Sequence, residues 1–261
     1  MKKFWFHLKE LLPTIIIAGT VGLILGIKNV ELNFRTSIII FVPLFFIILT
    51  VLIIKNIFGT TKLLEKGKYD ELIEKCEENL EYGRLNKKQK NAFINNIAVA
   101  YHRMGNFIKS KEIFDKIDTG NLDKNLRYIY YTFKIENALL TDKYSENIEE
   151  YIKKALDIYK LSSFYPTLAY YEALHNNENK SLEYINNYIN SDDSKKSIWS
   201  FFNTSLIFDK FIYDIENNYL IGITYLELEK SDLAKEYLLK ATKCEYDNYF
   251  TSKARELLRE I

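Results

Sequence analysis

Cysteine, proline and histidine are scarce in this chain. Its two cysteines, Cys76 and Cys244, lie far apart and neither belongs to a CxxC pair, which argues for two separate thiols over a disulfide between them. Two isolated thiols are expected in a reducing compartment. The three histidines, His7, His102 and His175, are too few and too dispersed for a sequence-local metal cluster. No HExxH, GxSxG, GxGxxG or phosphate-cradling GxxxxGK[ST] run occurs, which leaves no recognisable catalytic or nucleotide-binding set. A concentrated basic face is also missing. The net charge is +1, and residues 55–261 hold 31 basic against 33 acidic side chains, which argues against a nucleic-acid footprint. No enzyme, cofactor or metal is expected, nor a small-molecule substrate.

Long apolar runs, by contrast, are present at the start. Residues 11–27 and 37–54 contain no charged side chain. As helices rising about 1.5 Å per residue they span roughly 25 and 27 Å, close to a hydrocarbon core of about 30 Å. A cleaved signal would explain the first run, but no A-x-A-like site follows Gly26 and a second run comes soon after. The sequence predicts a membrane hairpin over residues 1–54, with Pro13 in the first turn of one helix and Pro43 kinking the other. Lys2, Lys3, Lys9, Lys55, Lys62, Lys66 and Lys68 flank the pair, against Lys28 and Arg35 between them. That bias places both ends in the cytoplasm of a multi-pass membrane protein. Gly22-x-x-x-Gly26 offers a small-residue face for packing within the hairpin or against another membrane helix. Lys55–Glu65 could continue the second membrane helix into the region beyond.

After Ile54, proline is reduced to Pro166 and apolar residues recur at helical spacing. In residues 94–117, Ile94, Ile97, Ala98 and Tyr101 share one face, Met104-Gly105-Asn106 interrupts, and Ile108, Ile113, Phe114 and Ile117 begin a second period. Gly105 can adopt the left-handed conformation that ends a helix. Similar turns follow at Gly67, Asp142, Asn177 and Glu229, so the hairpin is a repeating unit that must stack on copies of itself. About eighteen surplus residues fall near 191–213, where Trp199, Phe201, Phe202, Phe208, Phe211 and Tyr213 cluster. They read either as an inserted helix or as a patch that contacts a partner or a membrane. Tyr249–Ile261, with Ala254, Leu257, Leu258 and Ile261 on one face, has the form of a capping helix.

Tyr101, Gly105, Phe107 and Phe114, and again Gly222, Tyr225, Ala234 and Ala241, resemble the tetratricopeptide repeat signature. The resemblance covers roughly residues 60–245 and is clearest at 91–118 and 217–244. Ser110 and Asn147 stand where that family's second helix has Ala, and every interval exceeds its 34 residues. The resemblance implies an all-α solenoid over residues 55–261 whose first helices line a concave surface for a protein or peptide. On that analogy the partner-binding residues are Asn95, Val99, His102 and Arg103 in the best repeat and Tyr219, Ile223 and Leu226 in the last. His102 is expected to face solvent in the groove. Val99 and Ile223 replace the Asn of members that clamp a C-terminal carboxylate, so a mixed apolar and aromatic groove is implied. The resulting expectation is a membrane-anchored scaffold. The alternative is a non-catalytic subunit of a larger membrane complex, for transport or secretion, assembled through the hairpin.

Overall fold

The computed structural model describes residues 63–141, 147–191 and 210–261, except 65, 245 and 247 and the side chains of 210–213. Residues 81–84 fall in one compact unit and the other described residues in a second. The apolar runs 11–27 and 37–54, the Gly22/Gly26 face and the turn at Asp142 lie outside the described residues. So do nearly all of the junction at 55–65 and of the aromatic stretch at 191–213. Among the described residues no helix is long and apolar enough to cross a membrane.

Every regular element described is helical. Ten α-helices follow in order: α1 Tyr69–Tyr82, α2 Lys87–Arg103, α3 Phe107–Phe114, α4 Lys124–Leu139, α5 Ile148–Ile158, α6 Tyr165–Leu174, α7 Glu178–Ile189, α8 Lys210–Glu227, α9 Ser231–Ala241 and α10 Tyr249–Glu260. Their starts are written in short polar residues. At Asn86 a reciprocal box forms: Gln89 N–H donates to Asn86 Oδ1 and Asn86 N–H to Gln89 Oε1, each at 3.0 Å. Asp123 Oδ1 caps α4 through Leu126 N–H at 2.9 Å, and Asn248 Oδ1 caps α10 through Thr251 N–H at 2.8 Å.

The helices pair as α2/α3, α4/α5, α6/α7 and α8/α9, with α1 preceded by a helical end at 63–64 and α10 packed on α9. Four turns share one construction. Gly67, Gly105, Asn176 and Glu229 have φ of 66°, 77°, 58° and 57°. At Gly105 the backbone N–H donates to His102 O at 2.8 Å, and the next N–H, of Asn106, donates to Tyr101 O at 2.9 Å. The same pair of bonds forms at the other three turns, capping carbonyls that the helix end leaves open. Met104-Gly105-Asn106 is thus the connection, as the sequence predicts, and the turn at Glu229 is also where expected. The copy read at Asn177 is displaced by one residue: Asn176 carries the left-handed backbone. Asparagine tolerates that conformation because its short polar side chain bonds locally.

Within the hairpins, buried small residues recur twelve positions apart: Ala98 and Ser110, Ala169 and Ser181, Gly222 and Ala234. Ser110 Oγ donates to Ala98 O and Ser181 Oγ to Ala169 O, each at 2.8 Å, so a serine fits where an alanine is expected. A Cβ on Gly222 would stand 2.7 Å from Leu238 Cδ2, which only glycine avoids.

Candidate functional site on the inner face

Helix α2 presents Asn95, Val99, His102 and Arg103 inward, and all four are buried. Tyr219 of α8 is buried too, while Ile223 and Leu226 are half-buried. The expected solvent-facing groove histidine is therefore corrected: His102 is 0% exposed. The reason is that the array curls until its second and fifth hairpins touch. Arg103 Nε donates to Glu216 Oε1 at 2.8 Å, joining α2 to α8. Phe250 of α10 lies between the hairpins, with its ring centroid 5.3 Å from that of His102 and 5.4 Å from that of Tyr219. Residues read as equivalent positions on separate repeats are thus brought together around one phenylalanine. Asn95 also points into the interior, where neither its Oδ1 nor its Nδ2 has a hydrogen-bond partner among the described residues.

Two turn glycines complete the closure. A Cβ on Gly67 would fall on the ring of Tyr246, and one on Gly105 on the ring of Tyr249. Tyr246 and Tyr249 therefore lie against two successive hairpin turns, and only a bare backbone admits the tyrosines so closely.

At the centre is a polar layer drawn from five helices. His102 Nδ1 stands 2.8 Å from Asn137 Oδ1, and Asn137 Nδ2 donates to Ser110 Oγ at 2.9 Å. His102 Nε2 lies 3.4 Å from Glu136 Oε2, and Thr167 Oγ1 donates to the other carboxylate oxygen at 2.8 Å. Phe107, Phe133 and Phe250 surround the imidazole, with centroids 4.7 to 5.3 Å away. Burial there holds the His102 pKa down to about 3, against the pull of the Asn137 hydrogen bond. Burial likewise pushes Glu136 up to about 8, helped by the nearby Glu216 carboxylate and opposed by Thr167 and Arg103. Glu216 is also raised by burial, with Arg103 pulling the other way.

Sequence reasoning missed Glu136, Asn137, Thr167, Glu216 and Phe250. A carboxylate within an apolar helical run, as in Thr132–Leu140 (TFKIENALL), was the available signal. Among the described residues no three His, Cys, Asp or Glu side chains group to hold a metal ion, and Cys76 and Cys244 are free. An open groove of about 510 Å³ lies elsewhere, lined by Leu156, Leu168, Tyr171 and Tyr184 with Lys153 and Lys180 at its edge. Acids and bases alternate around it, so it selects neither sign of ligand.

Residues 215–248, spanning most of α8, all of α9 and the approach to α10, match the tetratricopeptide repeat family. No curated protein and no solved structure matches the chain. The matched segment is one 34-residue unit, and the fold places three further hairpins with the same turn before it.

Proposed function

We propose that this protein is a membrane-anchored scaffold whose repeat array recruits a protein partner. The apolar runs at 11–27 and 37–54 tether it, with both ends in the cytoplasm, and the inner face of the hairpins holds the partner. The observation that carries the reading is the recurrent hairpin, one copy of which matches a repeat family whose members bind proteins. In the closed array the inner face is filled by α10, so a partner gains access by displacing Phe250 and its neighbours.

Affinity capture with the full chain tests this, followed by reconstitution of the captured protein with purified components. Phe250→Ala, which removes the plug, should increase capture several-fold. Ile223→Glu, on the half-buried rim, should abolish it while circular dichroism stays unchanged. If Gly22→Leu and Gly26→Leu abolish capture and the array variants do not, the membrane hairpin is the interface and the recruiting face is not the array.

A further inference from the structure

The charge balance of the array has one local gap. From Tyr82 to Lys111 the chain carries seven Lys or Arg residues and no acidic one, in a protein with 35 acids. Lys87, Lys88 and Lys90 stand together at the start of α2, with Arg84 just before them in the chain. All three lysines are exposed. The reciprocal Asn86–Gln89 box fixes the backbone beneath them, so they project from an ordered helix start. That position disfavours them, because the amino end of a helix carries positive partial charge and prefers acids. No acid stands in this first turn. Elsewhere on the array, Lys68, Lys109, Lys154, Lys240 and Lys253 each pair with a glutamate three or four residues away. Among the described residues no acid forms an ion pair with Lys87, Lys88 or Lys90, the exposed glutamates of α1 included. Three cations set against the helix dipole without a counter-charge break a local rule, and an external anionic surface relieves them.

We propose that Lys87, Lys88 and Lys90 dock the array on the anionic phospholipid headgroups of its membrane, an inference that rests on the membrane-anchored reading. Charge complementarity names the occupant. Clustered cations near a membrane-spanning segment are drawn to the negative potential of a cytoplasmic leaflet, an attraction that fades within about 8–10 Å. The chain keeps the cluster close to the lipid. Nine residues lead from Ile54, the end of the second apolar run, to Leu63, so the array begins at most about 31 Å from that run. The turn at Gly67 is built like those that reverse the hairpins, and α1 after it is about 21 Å long. The far end of α1, and the start of α2 with it, therefore heads back toward the lipid. An acidic protein would also suit three lysines, but nothing in the chain brings one there, whereas the apolar runs bring the membrane.

Amine footprinting of the full chain in lipid nanodiscs tests the docking. One set of discs holds phosphatidylcholine alone, and the other includes about 30% phosphatidylserine to supply the anionic surface. Acetylation of individual lysines is followed by mass spectrometry, with Lys240 and Lys253 as internal references. Lys87, Lys88 and Lys90 should react about fivefold more slowly in the anionic discs, and about 1 M salt should restore their rate. Equal rates in the two discs overturn the proposal. So does slowing that needs an added acidic polymer, such as polyglutamate, and not the lipid. The anchor and the docking surface fail separately. A chain that enters both discs with its lysines unprotected keeps the anchor and loses the surface. One that enters neither, yet shows these lysines protected by anionic vesicles, loses the anchor and keeps the surface; one that does neither loses both.

Discussion

Arg103 and Glu216 sit 113 residues apart in sequence and 2.8 Å apart in space, both within the core. The pair ties α2 to α8 across the inside of the curl. Removing one partner leaves the other charge buried and unpaired, which costs about 3–5 kcal/mol. Arg103→Ala and Glu216→Ala should each destabilise by that amount in urea unfolding. The double replacement Arg103→Met with Glu216→Leu should recover most of the loss, because an apolar pair needs no desolvation. Additive losses in the double variant would mean that the two residues act separately.

Gly105 is constrained twice, by its φ of 77° and by the Tyr249 ring lying where a Cβ would be. Gly105→Ala should therefore destabilise by roughly 2–4 kcal/mol, about 1 from backbone strain and the rest from displacing the ring. In Tyr249→Ala the ring is gone, and the same glycine substitution should cost only the strain of about 1 kcal/mol. A thermal-denaturation cycle over the four proteins measures the difference. If the cost is unchanged without the ring, the tyrosine does not rest on the turn.

Local features of this fold are legible in the sequence, and the closure is not. The turn at Gly105 is announced by three residues, and the one at Glu229 by the helical periods on either side, because helix ends depend on nearby backbone bonds. The sequence places this turn one residue late, at Asn177, because asparagine neighbours asparagine there and either can turn left-handed. The choice of Val99, His102 and Arg103 as inner-face residues is what the resemblance to the repeat family implies. That this face is covered is not implied. It depends on a small rotation between successive hairpins, which accumulates until Phe250 reaches His102. Only the misplaced carboxylates, Glu136 and Glu216, hint that a side read as solvent-facing is interior.

Ser110 and Ser181 occupy the same hairpin position and make the same bond to a carbonyl twelve residues earlier. Ser110 differs in also accepting from Asn137. Ser181→Ala should cost about 0.5–1 kcal/mol, the net value of one hydrogen bond. Ser110→Ala should cost about 1–3 kcal/mol, because it strands a buried amide that orients His102. Paired urea titrations distinguish the two, and equal losses would show that Asn137 finds another acceptor.

The pH dependence of stability isolates Glu136. Its folded pKa of about 8 lies above its ordinary 4.5, so its contribution is full below 4.5 and is lost as pH rises through 8. His102 runs the other way: held at about 3 against 6.5, it contributes fully above 6.5 and less as pH falls toward 3. Between 4.5 and 6.5 the two slopes oppose each other, and above 6.5 the Glu136 slope is no longer masked by the histidine. Burial raises Glu216 as well, so it reinforces the loss of stability toward alkali. Comparing the natural protein with Glu136→Gln subtracts Glu216 and His102, whose surroundings are otherwise retained. From pH 6.5 to 8 the natural protein should lose about 1.4 kcal/mol per pH unit relative to the variant, as one proton released on unfolding requires. A constant difference across that range would mean that Glu136 is ionised throughout.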